Sequence, residues 1–245
     1  KFSQVDIARM SQRAENRHFG KPCGLMDQIA CAVGGLVFID FADPAAPVVK
    51  RTDLHLDGYR LCIIRTGGSH ADLNEDYASV PAEMKAVAAY FGKSVLREVS
   101  EDELITAVPA LRKKLGDRAI LRALHFMSEN KRVEKALAAA KAGDTDAFLA
   151  EINASGTSSA IALQNYFTCK APAEQGITLA VTLAREIMGG KGAARVHGGG
   201  FAGTAQAFVP EEIFDKFVAA MEGAFGKGAV VALEIRNESA TRISD

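Results

Sequence analysis

The sequence predicts a mixed α+β protein, built as one large domain or two modest ones. Three observations carry this. The chain has 245 residues, enough to bury a substantial core. Short apolar, partly β-branched runs at 60–65, 193–196 and 204–209 read as buried strands, since each is bounded by glycine or turn residues. Residues 74–191 carry helical patterning almost throughout. Strand-forming pieces at the ends and a helical middle make an α+β chain, with a domain boundary expected near Asp53–Gly58.

Taken in order, residues 2–16 predict a helix with Phe2, Val5, Ala8 and Met10 toward a core. Gly20, Pro22 and Gly24 break it. Gly34-Gly35, between apolar runs, marks a hairpin or tight bend before Leu36–Asp40, and Asp43-Pro44-Ala45-Ala46-Pro47 is a turn. The strand at 60–65 ends at Gly67-Gly68. Pro81 suits the first turn of a helix running through Tyr90. Further helices are expected over Glu101–Leu115, Arg118–Ala142 and Asp144–Leu163. The second takes its apolar positions from Ile120, Leu121, Leu124, Phe126, Met127, Val133 and Leu137. Ala173–Met188 is another helix, stopped by Gly189-Gly190. The tail reads strand, helix, strand over 204–209, 211–225 and 229–235.

Composition narrows the function. Hydrophobic residues make up 48% and charged residues 24%, an ordinary globular balance. Net charge is −1 from 29 basic and 30 acidic residues with no basic block, which argues against nucleic acid or an anionic membrane as partner. No apolar run reaches the length of a membrane span. Cysteines at 23, 31, 62 and 169 form no C-x-x-C pair, so metal-site spacing is absent and a reduced, cytoplasmic setting is expected. No signal peptide is visible, and a chain that opens on Lys1 reads as cut from something longer.

Two stretches carry chemistry. The first is His197-Gly198-Gly199-Gly200-Phe201-Ala202-Gly203-Thr204. Glycine permits left-handed backbone and close approach, as a loop folded against a phosphate or another loop requires. Gly198, Gly200 and Gly203 satisfy G-x-G-x-x-G, but a dinucleotide site needs a helix after that turn, and a strand follows here. The His-Gly-Gly-Gly run matches an esterase oxyanion loop, yet the chain has no G-x-S-x-G elbow. A ligand-free tight turn stays open on the loop alone. The second stretch is Ala14-Glu15-Asn16 through Cys23-Gly24-Leu25-Met26-Asp27-Gln28. Asp27 is either a helix N-cap or a carboxylate placed to orient or deprotonate a hydroxyl. His70 and His197 are lone histidines with structural or solvent roles, and Lys131, Arg132, Lys135 and Lys141 mark solvated helix faces.

The run at 14–28 resembles that of galactokinases, members of the GHMP small-molecule kinases. The Gly198–Thr204 loop resembles that family's third, C-terminal glycine motif, and the likeness covers essentially the whole chain. The resemblance implies that residues 1–56 are the remnant of an N-terminal domain of the ribosomal S5 domain 2-like type. It implies that 57–245 form a ferredoxin-like C-terminal domain with extra helices. It implies ATP-dependent phosphorylation of a sugar, galactose, at the C1 hydroxyl, with Mg2+. Asp27 then matches the base or hydroxyl-orienting group, and Gly24 a glycine whose backbone lies against the sugar. Tyr77 matches a sugar-contacting tyrosine, or is an ordinary half-buried aromatic. Gly198, Gly199, Gly200 and Gly203 match the loop near the phosphates. Partners are a small sugar and ATP.

Two family motifs have no counterpart. One is an upstream set that grips the sugar; the other is the Pro-x-x-x-Gly-Leu-Ser-Ser-Ser loop that cradles the phosphates. Gly156-Thr157-Ser158-Ser159 sits in a helical stretch and is not that loop. The chain alone is therefore expected to be inactive. The third motif reads Phe201-Ala202-Gly203-Thr204 where the family has Phe-Gly-Gly-Cys. Two alternatives stand beside the galactose reading: a kinase for another sugar or small alcohol, and a non-catalytic, ligand-binding or regulatory relative.

Overall fold

The computed structural model describes residues 2–19, 23–52, 54–68 and 73–241. Gly20, Pro22, Asp53 and His70, named above, lie outside the described residues, as does Lys1. The chain divides into two compact units. One comprises Lys1–His55, Ala140–Gly143 and Glu234–Asp245; the other comprises Leu56–Ala139 and Asp144–Leu233.

The smaller unit begins with helix α1 (Gln4–His18). Ser3 caps it and Asp6 returns the bond, a capping box that satisfies two otherwise orphaned amides. Ala8 is buried as expected, but Phe2 and Met10 are exposed, at 74% and 46%. The helix starts two residues later than the apolar spacing suggested, so its inward stripe runs through Ala8 and Ile7 instead. Helix α2 (Met26–Val33) buries Ile29, Ala32 and Val33. Gly34, at φ +71, stops it, and the Glu238 carbonyl would lie 2.3 Å from any Cβ there. Strands β1 (Leu36–Asp40) and β2 (Val48–Thr52) then form an antiparallel hairpin. The turn between them is the expected one: the Asp43 side chain accepts from Ala45 N–H and its carbonyl from Ala46 N–H. β2 has no counterpart in the sequence reading, because Val48-Val49 is too short an apolar run beside Lys50-Arg51.

The larger unit is a four-stranded antiparallel sheet in the order β4-β5-β3-β6, from β3 (Tyr59–Arg65), β4 (Ala193–His197), β5 (Thr204–Pro210) and β6 (Val230–Leu233). Ala205, Ala207 and Val209 of β5 alternate onto one face with Cys62 and Ile64 of β3. That face is covered by α7 (Gly176–Met188) and α8 (Phe214–Phe225) through Ile177, Val181, Met188, Phe217 and Met221. A second core joins α3 (Asn74–Tyr90), α4 (Glu101–Leu115) and α5 (Asp117–Ala142) around Val87, Leu104, Leu111 and Ile120. Val133 of α5 is exposed rather than inward.

Pro81 is not in a first turn: α3 starts at Asn74 and runs through it, as α4 runs through Pro109. Each ring removes one helical amide bond, and the buried stripes on either side hold the helices together. α6 (Thr145–Ser158) is capped by Asp144 and continues into a π-helical turn over Ser159–Leu163. Gly156 belongs to this helix: a Cβ there would meet Arg185 Nη2 at 2.8 Å and Arg195 Cβ at 2.9 Å. Its glycine serves close helix–strand packing. Arg132 is not on a solvated face. Its side chain is 17% exposed and pairs with Glu129 and Glu151. Lys131, Lys135 and Lys141 are exposed as expected.

Candidate functional site

In the smaller unit, the motif residues of α1 hold the segment that leads into α2. Asn16 Oδ1 accepts from Cys23 N–H at 3.0 Å, Gln12 Nε2 donates to the Cys23 carbonyl at 3.1 Å, and Gln28 Nε2 donates to Glu15 Oε1 at 3.1 Å. The Glu-Asn pair and the Asp-Gln pair, distant in sequence, are thus two sides of one anchored turn. Gly24 is exposed, and a Cβ there would meet nothing within 4 Å. Asp27 is not the N-cap. Leu25 occupies that position without a side-chain cap, and Asp27 is the exposed second residue of the helix. A carboxylate in the first turn is favoured by the helix dipole.

In the larger unit, the glycine loop is the β4–β5 turn, so strands flank it on both sides. Positive φ occurs at Gly198 (+70), Gly200 (+84), Phe201 (+61) and Gly203 (+98). Phe201 is the costly member, since a side chain in this region is strained by ~1–2 kcal/mol. The loop carbonyls are anchored. Gly199 O accepts from Asn165 Nδ2 at 3.0 Å and Gly200 O from the Tyr77 hydroxyl at 3.0 Å. Gly203 O accepts from Thr66 N–H and Oγ1, each at 2.9 Å. Phe201 N–H donates to the Asn165 carbonyl at 2.5 Å. Phe201 and Tyr77 meet edge to face at 5.5 Å. His197 Nδ1 lies 3.0 Å from Thr204 Oγ1, a hairpin contact.

Tyr77 is therefore brought together with Gly199 and Gly200. Burial pushes its phenol above the ordinary value, and the Asp76 carboxylate adds to this, so the hydroxyl stays protonated and donating at neutral pH. Arg122, 1% exposed, supports the same region from below: it donates to the Leu163 carbonyl at 3.1 Å, Ser79 at 2.8 Å and Glu83 at 2.9 Å. Burial pushes its guanidinium down, opposed by Glu83. A cavity of about 250 Å³ lies between Gly67-Gly68, Thr168, Gly176 and Phe201-Ala202. Ala202 packs on Gly68, where a Cβ would come within 3.2 Å of its own; the Ala-for-Gly departure is thus accommodated by a glycine on the facing strand end. Asn165, Thr66 and Arg122 escaped the sequence reading. The polar pair Gln164-Asn165 breaking a helical run was the available signal.

Among the described residues, no cluster of three or more His, Cys, Asp or Glu side chains is arranged to hold a metal ion. Among the same residues, no helix is long and apolar enough to cross a membrane.

No model of a known protein family matches the chain. Individual proteins do. It is 33% identical over 211 residues to a galactokinase of Glaesserella parasuis, covering 86% of this chain and 53% of the relative. It is 32% identical over 231 residues to a galactokinase of Streptomyces coelicolor, covering 92% and 56%. In fold it is similar to Lactococcus lactis galactokinase, solved with galactose, at a TM-score of 0.76 and 23% identity over 98% of this chain and 61% of that one. A mevalonate kinase of L. major follows at a TM-score of 0.58 and 14% identity, covering 98% and 60%. By sequence and by fold the chain is a galactokinase-like member of the GHMP small-molecule kinases, spanning just over half the length of the curated relatives it matches.

Proposed function

We propose that this chain is part of a sugar kinase that transfers the γ-phosphoryl group of ATP to the C1 hydroxyl of galactose. The observation that carries the reading is the likeness, at about a third identity across most of the chain, to proteins named galactokinase. Asp27 is the residue assigned to the acceptor hydroxyl. An exposed carboxylate on an anchored helix start can accept that proton as the oxygen attacks phosphorus, or stay ionised and aim the hydroxyl. Open space at Gly24 lets backbone lie against a sugar. Gly198, Gly199, Gly200 and Gly203 are assigned to the phosphate side, where a stiff loop supplies position rather than covalent chemistry. Residues 1–56 and 57–245 are assigned to the kinase N-terminal and C-terminal domains. Cys31, Cys62 and Cys169 are free thiols, which suits a reducing, cytoplasmic setting.

Ala202 and Thr204 in the third motif favour keeping a second substrate in view, another sugar or small alcohol. The test is ADP release by the natural-length protein with ATP and a panel of sugars. Galactose is expected to give the highest kcat/KM. A higher value for another acceptor moves the substrate, and no acceptor-dependent release makes the protein a non-catalytic relative.

A further inference from the structure

We propose that residues 236–240 are a positioning segment for Asp27: this tail clasps the last turn of α2 through main-chain hydrogen bonds and so fixes the carboxylate in its first turn. The inference rests on the kinase reading above.

Helix α2 does not hold its own place. It has 8 residues, about 12 Å at 1.5 Å each, and helices below about 12–15 residues are marginal alone. Ile29, Ala32 and Val33 set which face is buried, and polar groups hold the two ends. Beside Asp27 the grip comes from α1, where Glu15 accepts from Gln28 and Asn16 from Cys23 N–H. The last turn has no basic side chain, and its grip is backbone from the tail. Ala240 N–H donates to the Ala32 carbonyl at 2.9 Å, and Gly35 N–H donates to the Arg236 carbonyl at 2.7 Å. The first of these satisfies a carbonyl that a helix end otherwise leaves orphaned.

Between the two bonds the tail passes over Gly34. A Cβ there would lie 2.7 Å from the Glu238 carbonyl carbon and 3.1 Å from Ser239 N, so the missing side chain is what lets the tail lie against the helix end. The next residue is closed in by β2: a Cβ at Gly35 would lie 2.9 Å from Arg51 Nε. The tail is held by its main chain. Arg236, Asn237, Glu238 and Ala240 are exposed, while Ile235 and Ser239 are half-buried. An alanine scan of the exposed positions would therefore leave the clasp intact. Asp27 is the second residue of this short rod. Freeing the last turn lets the rod tilt, and the tilt moves the carboxylate. Catalysis is sensitive to displacements of that size, since a misplacement of ~1 Å costs up to ~10²-fold.

The test uses the natural-length protein with ATP and D-galactose. One variant ends after Leu233 and lacks the tail. A control ends after Thr241 and keeps both main-chain bonds. Gly34→Ala, which pushes the tail off an otherwise complete chain, is the second variant should the shorter chain fail to fold. Loss of the clasp is expected to lower kcat roughly ten- to hundredfold, with the ATP KM unchanged and the control at the wild-type rate. In an Asp27→Ala background the same loss should lower kcat no further, because the tail acts through that carboxylate. An equal fall in both backgrounds makes the tail merely structural and overturns the proposal. So does a full kcat without the tail, or a control that falls as far as the shorter chain. Should the wild type phosphorylate no sugar, the kinase reading falls, and amide exchange over residues 30–35 decides the clasp. Faster exchange in the chain ending after Leu233, but not in the control, upholds it; unchanged exchange overturns it.

Discussion

Gly200→Ala is the sharpest probe of the loop, because Gly198→Ala is its internal control. Both glycines have left-handed backbone, at φ +84° and +70°. Both substitutions therefore carry the same strain, ~1–2 kcal/mol. Only at Gly200 does the new Cβ collide: it would lie 2.1 Å from the Asn165 carbonyl oxygen, 2.7 Å from Nδ2 and 2.9 Å from Cγ. At Gly198 it meets nothing within 4 Å. Relieving the collision moves Asn165 and loses its two bonds to the loop, about 1 kcal/mol each. Gly200→Ala should thus destabilise by ~3–4 kcal/mol and Gly198→Ala by ~1–2 kcal/mol. At ~2–4 °C per kcal/mol for a chain of this size, the two melting temperatures should differ by roughly 4–8 °C. Differential scanning calorimetry of both variants measures this. Coincident melting temperatures would refute the claim that Asn165 closes on the loop at Gly200.

Further outcomes follow from the structure and the sequence. Arg122→Ala leaves Glu83, Ser79 and the Leu163 carbonyl without their buried partner, and should lower unfolding free energy by ~3–5 kcal/mol. Arg118→Ala, at the 47% exposed pair with the same Glu83, should lower it by at most ~1 kcal/mol in denaturant titration. Burial pushes the Cys62 thiol up to about 12 from 9.0. Above pH 9 the unfolded chain loses this proton while the folded one keeps it, so stability falls as pH rises from about 9 to about 12, by up to ~1.4 kcal/mol per unit. Cys62→Ala should remove one proton's worth of that slope, and in a thiol-reagent assay Cys31 and Cys169, both exposed, should react long before Cys62. The 245-residue chain by itself should release no galactose-dependent ADP, since its sequence carries no phosphate-cradling Gly-Leu-Ser-Ser-Ser loop; release above background in a coupled assay would contradict this.

What was legible in the sequence was local. Helix α4 matches residue for residue, because Ser100 and Glu103 spell a capping box and Gly116 a stop. The flanks of the glycine loop read as strands because short apolar, partly β-branched runs are bounded there by glycine. Long-range facts were not legible. The pairing of β3 with β5 joins Arg65 to Thr204 across the whole helical middle, and no local pattern encodes it. Arg122 carries no local mark of its burial, since that depends on Glu83 and Ser79 from another helix. Pro81 misled for the opposite reason: its local rule was sound, and tertiary packing overrode it. Asp27 needed the structure to exclude the cap, because a cap at Asp27 would start the helix two residues later than Met26. Tyr77 shows the limit most clearly. Its hydroxyl partner is a backbone carbonyl 123 residues away.

The central claim is that Asp27 addresses the acceptor hydroxyl of a sugar kinase. The most direct measurement is galactose-dependent ADP release by the natural-length protein and its Asp27→Ala variant, with melting temperature as the control for folding. The account predicts release in the wild type and a loss of ~10²–10⁴-fold in kcat in the variant, the size of a general-base contribution, with the melting temperature unchanged at this exposed position. A variant that keeps the wild-type rate would contradict it.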